Sequence, residues 1–327
     1  MRVVIAGFGT VGQGFAEVLH MKSDLFEEPV RIVAAFDSKS YAADADGLDP
    51  AALVQRKKET GSVGPDRLIN GTELLSSVDY DVLVEVSPTD IRTGGEGLKH
   101  IRHALKNGKD VITVNKGPLA LKFAELNRLA GKKGLILRFE GSVGGAMPII
   151  NLCSENLKGE QVRSIRGIFN GTCNFILSRM DTGLPFEQAL KEAQQLGYAE
   201  TDPTYDIEGI DTACKIVILA NSIFGRNVTF SDVSITGITS VSADAIALAA
   251  DQDMVIRLIG EVSDTVLEVS PRLVPKGHPL SVSGTLNTAR ILTDLAGTIT
   301  ISGKGAGRIE TASAILSDLM AIMDLRR

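Results

Sequence analysis

The sequence predicts an α/β protein, a doubly wound parallel nucleotide-binding sheet followed by a second, α+β domain, and three observations predict it. First, Met1 to Ala6 is a short apolar run of strand type that leads at once into Gly7-Phe8-Gly9-Thr10-Val11-Gly12 and then into Phe15, Val18 and Leu19 at helical spacing. Second, strand and helix patterns alternate from there to about residue 139, the signature of a sheet covered on both faces. Third, the texture changes at Gly141, and 327 residues exceed the usual size of one domain. The expected division is a dinucleotide-binding domain over residues 1–134, completed by 303–327, and a substrate-binding and dimerisation domain over 135–302.

The opening glycines have separate physical tasks. Gly7 makes the tight turn, Gly9 lets the backbone approach a pyrophosphate, and Gly12 allows the helix to pack on the strand, with phosphates at the helix N-terminus. Gly7, Gly9, Thr10, Val11 and Gly12 are therefore candidate coenzyme contacts. The next strand, residues 30–36, ends at Asp37, which either accepts hydrogen bonds from an adenosine ribose or is an ordinary strand-end turn residue. Lys39, Lys57 and Lys58 follow and can neutralise a 2′-phosphate, so the pattern leaves NAD and NADP both open. The expectation is that both are used, with a slight preference for NADP carried by Lys39.

A polar stretch over residues 38–71 reads as loop and helix outside the sheet. Strands follow at 82–86, 111–114 and 135–139, with helices at 95–107 and 119–132. Two strand ends carry polar residues where open α/β sheets bind ligands, at the carboxyl edge. They are Ser87-Pro88-Thr89 and Asn115-Lys116-Gly117-Pro118. Lys116 is either a helix-start surface lysine or a contact to substrate or nicotinamide, and its strand-end position favours the contact.

Beyond Gly141, the run Gly141-Ser142-Val143-Gly144-Gly145-Ala146-Met147-Pro148 is a turn feeding a helix, and residues 161–169, 268–274 and 298–302 read as strands of a second sheet. Beside Glu140 this turn is a domain crossover, or its carbonyls join the carboxylate around a hard cation; spacing alone favours the crossover. The stretch 197–215, GYAETDPTYDIEGIDTACK, gathers five acidic side chains and one lysine between two helical patterns. The second of these helices, over about 209–224, has almost no polar face and should be buried. Asp211 and Lys215 stand four apart on it and point the same way. On a surface such a pair contributes only about 0.3 to 0.5 kcal/mol. On a buried helix, a lysine beside carboxylates can keep a proton and deliver it to a substrate oxygen. Near the end, Gly303-Lys304-Gly305-Ala306-Gly307 precedes a terminal helix, a second glycine-rich helix start that brings the tail, with Gly305, back to the nucleotide.

Composition excludes several classes. A net charge of -6 argues against a nucleic-acid surface, and no apolar run reaches the roughly 18 residues needed to span a bilayer. Cys153, Cys173 and Cys214 form neither a disulfide framework nor a cysteine zinc site, so a cytosolic protein is expected. His20, His100, His103 and His278 lack ligand spacing and read as surface or turn residues.

Together GFGTVG, TVNKGP, FEGSVGGAMPI, NGTCNFIL, the 197–215 block and GKGAGRIETA resemble homoserine dehydrogenase over nearly the whole chain. The resemblance implies reversible, NAD- or NADP-dependent interconversion of L-homoserine and L-aspartate 4-semialdehyde, on the route to threonine, methionine and isoleucine, by a homodimer. It implies Lys215 and Lys116 as catalytic lysines and Asp211 and Asp206 as orienting carboxylates. Glu200 would bind the substrate amino group, with Thr172 and Lys116 also at the substrate, and Ser87 and Lys116 would join the coenzyme contacts. A cation, usually sodium, would fall on Glu140 and the backbone carbonyls of Val143, Gly145 and Met147, which reverses the preference for a bare crossover. Many relatives carry a C-terminal ACT domain or an aspartate kinase fusion; this sequence runs out after its terminal helix, so threonine feedback through such a domain is not expected. Cys173 stands where the family often has threonine. The competing readings are another amino-acid dehydrogenase of this architecture and an idle dinucleotide sensor, which would not need the charged 197–215 block.

Overall fold

The structure, a computed structural model, describes residues 1–68 and 70–327. Their backbone contacts divide the chain into two compact units, Met1–Gly145 with Gly307–Arg327, and Ala146–Ala306.

The first unit is built on a seven-stranded sheet. Its strands are β1 (Arg2–Ala6), β2 (Arg31–Phe36), β3 (Ser40–Leu48), β4 (Asp66–Arg67), β5 (Val82–Glu85), β6 (Asp110–Thr113) and β7 (Leu137–Arg138). They lie in the order β4-β3-β2-β1-β5-β6-β7. The five from β2 to β7 in that order are parallel. The apolar runs of β1, β2 and β5 are buried on both faces, which is why they read as continuous hydrophobic strands. The chain runs from β1 to β2 on one side and then returns to β5 on the other, so the topological switch lies between β1 and β5, where ligands of such sheets bind.

One expectation fails here. The stretch 38–71 is not all outside the sheet, because β3 pairs antiparallel with β2 and β4 with β3. The sequence of β3, SYAADADGL, carries three acidic or glycine positions in its second half that mimic a loop. Among the described residues the short outermost strand β4 pairs only with Ser40 and Tyr41, so the acidic half of β3 forms a free edge there, where charge discourages edge-to-edge pairing.

Helices α1 (Thr10–Met21), α2 (Pro50–Thr60), α3 (Gly71–Ser77), α4 (Gly95–Lys106) and α5 (Lys116–Lys132) cover this sheet. The core on the α1 side also takes Ala312, Ile315, Leu316, Leu319, Ile322 and Met323 from the C-terminal helix. That helix is anchored at its far end by Arg326, whose guanidinium pairs with the buried Asp110 at the start of β6.

The second unit holds short α6 (Ile149–Asn151), then α7 (Gly171–Met180), α8 (Phe186–Gln195), α9 (Thr204–Ile207), α10 (Ile210–Ser222) and α11 (Ala243–Asp251). Its six-stranded sheet comprises β8 (Val162–Ile168), β9 (Ser234–Ile235), β10 (Met254–Ser263), β11 (Leu267–Pro275), β12 (Leu286–Thr293) and β13 (Thr298–Lys304), in the order β13-β12-β8-β10-β11-β9. The three strands expected from sequence are β8, β11 and β13. Central β10 and β12 were not anticipated, since Arg257, Asn287, Thr288 and Arg290 interrupt the apolar alternation although the first three are buried. Helix α10 is buried from Asp211 through Asn221 and packs against β10, where Gly260 leaves room for Ile216 and Thr212. The last helix, α12 (Arg308–Arg326), belongs to the first unit.

Candidate active site

In the first unit the glycine turn fits its expected task position by position. Gly7 has φ +100°, and a Cβ there would stand 2.5 Å from the Ser87 nitrogen, so only glycine lets the β1 turn pass the end of β5. Gly9, the residue before α1, has open space where a Cβ would be, and with Thr10 it is exposed. A Cβ on Gly12 would run into the Gly7 carbonyl oxygen. The helix start has no side-chain cap, so its first amides keep the anion-binding character of a helix N-terminus. These features fit a coenzyme pyrophosphate.

Asp37 ends β2 and is more engaged than sequence indicated. Its carboxylate accepts the backbone N–H groups of Lys39 and Ser40, each at 2.8 Å, and pairs with Lys57 Nζ at 2.6 Å. Burial opposes its ionisation, but these bonds prevail and hold its pKa below the usual carboxylate value. The ammonium beside Asp37 is thus that of Lys57, which reaches back from α2 and also donates to the Gly61 carbonyl at 2.5 Å. The Lys39 side chain is exposed.

Lys116 is the first residue of α5 and half-buried. Asn115 caps that helix through a 3.2 Å bond from the Gly117 N–H, and its amide nitrogen donates to the Ser87 and Pro88 carbonyls at 3.2 and 3.3 Å. The two polar strand ends are therefore tied to each other. Glu140 is buried within a tight turn, its N–H donating to Asp318 of α12 at 2.9 Å. Val143 and Gly145 follow in this unit and Met147 in the other, all three buried.

The charged cluster of the second unit is assembled from three segments. Lys215 and Asp211 are each 6 % exposed. The Lys215 ammonium donates to Asp211 Oδ2 at 2.7 Å and to the Phe169 carbonyl, just past β8, at 2.6 Å. Asn170 joins the group, its amide nitrogen reaching Asp206 Oδ1 at 2.7 Å and Asp211 Oδ2 at 3.0 Å. Its Oδ1 caps α7 by accepting the Cys173 N–H at 2.8 Å. Burial and the neighbouring Asp211 raise the pKa of Asp206, against the lowering effect of its hydrogen bonds and Lys215. The Thr172 hydroxyl donates to the Tyr198 carbonyl at 2.7 Å, and Tyr198 is an exposed aromatic packed edge-on against Phe175. Glu200 is exposed.

Lys215, Asp211 and Asp206 are thus drawn together as expected, and half-buried Thr172 joins them through a side-chain hydrogen bond to Asp206, while Glu200 lies on the adjoining surface segment. Asn170 was missed as a site residue. Its signal was available, since asparagine before Gly-Thr at a helix start is a capping pattern, but capping alone gave no reason to see it bridging two carboxylates. His100 also departs from expectation, being 4 % exposed rather than a surface or turn residue. Cys173 is fully enclosed, and burial with Asp206 and Asp211 nearby pushes its thiol well above the usual value.

A sheet with a glycine turn at its switch point, accompanied by a buried lysine–carboxylate cluster, defines the class as a nicotinamide-dependent oxidoreductase. The family model described as "Homoserine dehydrogenase, NAD binding domain" matches residues 7–140, and that described as "Homoserine dehydrogenase" matches 148–320. A homoserine dehydrogenase of Methanocaldococcus jannaschii is 51% identical, with 98% of each chain covered. A solved structure described as a homoserine dehydrogenase from Archaeoglobus fulgidus superimposes with a TM-score of 0.93 at 48% identity, covering 98% of this chain and 99% of that one. A hyperthermophilic archaeal homoserine dehydrogenase solved in complex with NADPH superimposes with a TM-score of 0.88 at 30% identity, covering 99% and 98%. The chain belongs to the homoserine dehydrogenase family. Its reaction is the NAD(P)-dependent interconversion of L-homoserine and L-aspartate 4-semialdehyde.

Proposed function

We propose that Lys215 is the proton-transfer residue of this reaction, and that Lys116 is the second catalytic lysine, stabilising charge or taking the proton-transfer role. The observation that carries the reading is the burial of Lys215 with Asp211 and the Phe169 carbonyl as its partners. An ammonium has three donors, so two fixed bonds aim the head while a further N–H can be given to a substrate oxygen. The nicotinamide coenzyme, when bound, supplies or accepts the hydride. In reduction, Lys215 gives its proton to the carbonyl oxygen as negative charge develops there; in oxidation, the neutral amine takes the proton of the homoserine hydroxyl. Oxidation then rises with pH. Asp211 holds the lysine in place through its 2.7 Å bond, and Asn170 ties Asp211 to Asp206. Glu200 pairs with the substrate ammonium, and Thr172 orders the adjoining segment through Tyr198.

The same proposal places the coenzyme phosphates on Gly9, Thr10 and Val11, the adenosine ribose beside Asp37, and the nicotinamide end near Ser87 and Lys116, with Gly305 as a further coenzyme contact. Both coenzymes are used. Lys57 supports acceptance of NADP, because its charge offsets Asp37, and this takes over the role first given to Lys39. A monovalent cation, sodium, is proposed for the Glu140 carboxylate and the carbonyls of Val143, Gly145 and Met147, because hard cations prefer oxygen. A homodimer is proposed through the sheet of the second unit, which exposes Leu273 and Leu292. No helix among the described residues is long and apolar enough to cross a membrane. A cytosolic location is proposed with it, supported by three cysteines that are buried thiols.

The test follows reduced-coenzyme absorbance with L-homoserine and each coenzyme, in wild type and Lys215→Ala. Loss of turnover with coenzyme binding retained supports the assignment; near-normal turnover removes Lys215 from it.

A further inference from the structure

Beneath the carboxyl edge of the first sheet lies a carboxylate that the glycine turn and the lysines leave unexplained. Glu85 ends β5 with 0 % exposure, and a charge so placed is costly unless its oxygens are bonded and its charge offset. Its Oε1 accepts the Ser87 N–H at 3.1 Å and, closely, the Ser87 hydroxyl. Its Oε2 lies 3.4 Å from the Thr113 hydroxyl, which also donates to the Glu85 backbone carbonyl at 3.1 Å. From α4, His100 sets Nδ1 3.8 Å from Oε1.

The surroundings are shaped to this group. The His100 ring stands edge-on to Phe36 at 5.2 Å, and a Cβ on Gly71 would collide with its Nε2. A Cβ on Gly97 would lie 2.5 Å from Asn115 Nδ2 and 3.0 Å from Glu85 Oε2, so α4 approaches only because glycine is there. Thr113, besides bonding Glu85, accepts the Asn115 N–H at 3.1 Å. Asn115 in turn holds the Ser87 and Pro88 carbonyls and caps the helix that begins with Lys116.

We propose that Glu85 is a positioning residue for the dehydrogenase reaction: its buried carboxylate fixes the Ser87 turn directly and the start of α5 through Thr113 and Asn115, and so sets where Lys116 carries its ammonium. This rests on the reading of Lys116 given above. The bonded members of this network, Ser87, Thr113 and Asn115, hold one geometry around Glu85, while His100 Nδ1 has no hydrogen-bond partner among the described residues, and removing the Glu85 acceptor takes a partner from Ser87 and Thr113. Glu85→Gln keeps the volume but puts an N–H₂ where an acceptor stood, facing the donors of Ser87 or Thr113.

The experiment is a double-mutant cycle on kcat with L-homoserine, using wild type, Glu85→Gln, Lys116→Ala and the double variant. The expected result is at least a tenfold fall in kcat for Glu85→Gln with the homoserine KM changed less than twofold, and no further fall when it is added to Lys116→Ala. Multiplied effects in the double variant, normal turnover in Glu85→Gln, or normal turnover in Lys116→Ala overturns the assignment. Thermal melting separates a packing role: a lower Tm with unchanged turnover per folded molecule also overturns it. If wild type does not oxidise homoserine, the proposed function fails, and Glu85 is judged by fluorescence titration with NADPH. A fivefold weaker Kd in Glu85→Gln, lost when Ser87 is already alanine, then supports it, and an unchanged Kd overturns it.

Discussion

The glycine turn at the head of the first unit and the charged cluster at the head of α10 are built in opposite ways. The turn works through atoms that are missing: Gly7 passes the Ser87 backbone, Gly12 passes the Gly7 carbonyl, and Gly9 leaves open space. The cluster works through atoms that are present, with Lys215, Asp211, Asp206 and Asn170 bonded to one another from three segments. The first is a property of a few consecutive residues and their backbone. The second exists only when distant parts of the chain are folded together, and it carries the energetic load of buried charge.

Taking an atom away should therefore damage the cluster most. Lys215→Ala should lower turnover by about 10²-fold or more. It should also destabilise the protein by about 3 kcal/mol, because Asp211 is left buried without its ammonium. Steady-state rates and denaturant melts measure the two effects, and a variant with both unchanged would show the pair to be incidental.

Adding an atom is the matching test of the turn. Gly9→Ala meets nothing in the folded protein, so its melting temperature should stay at the wild-type value. If a coenzyme phosphate approaches this backbone, the methyl group should weaken its binding by about tenfold or more, the loss of roughly one charge-assisted hydrogen bond. Fluorescence titration with NADH and NADPH decides between a binding surface and a merely open loop.

At the adenosine end the two lysines can be compared directly. Lys57→Ala removes the cation beside Asp37 and should shift relative kcat/KM toward NAD by about 1 kcal/mol, since a bare carboxylate repels a 2′-phosphate. Lys39→Ala should shift it less, because only the Lys39 backbone N–H engages Asp37. A larger response at Lys39 would return the role to that residue.

The smallest expected effect is a gain in stability. The Asp206 pKa is raised by burial and by Asp211, so its contribution to stability is fully present below its unfolded pKa and is lost as pH rises through the folded one. At neutral pH, Asp206→Asn should therefore stabilise by up to about 1 kcal/mol, or about 2 to 4 °C in Tm, while weakening homoserine binding. The difference in Tm should shrink as pH falls into the carboxylate range. A variant less stable than wild type at neutral pH would mean that the Asn170 bond outweighs the repulsion.

Elements whose character is local were legible in the residues themselves. The strand–turn–helix at Gly7, the alternation that marks the parallel sheet, the apolar helix α10 and the i,i+4 placement of Asp211 and Lys215 all follow from spacing and from the conformations that glycine alone permits. Their outcome depends on neighbours a few positions away, so a sequence can state it. What tertiary structure decided was where polar residues end up when spacing gives no instruction. It drew the acidic β3 into the sheet antiparallel to β2, buried Arg257 and Asn287 in strands that do not read as strands, and moved His100 from an assumed surface to the side of Glu85. It also chose Lys57 over Lys39 as the partner of Asp37 and placed Asn170 between two carboxylates. A buried polar group is stable only if partners meet it, and those partners come from segments that the sequence lists far apart and only the fold brings within hydrogen-bonding distance.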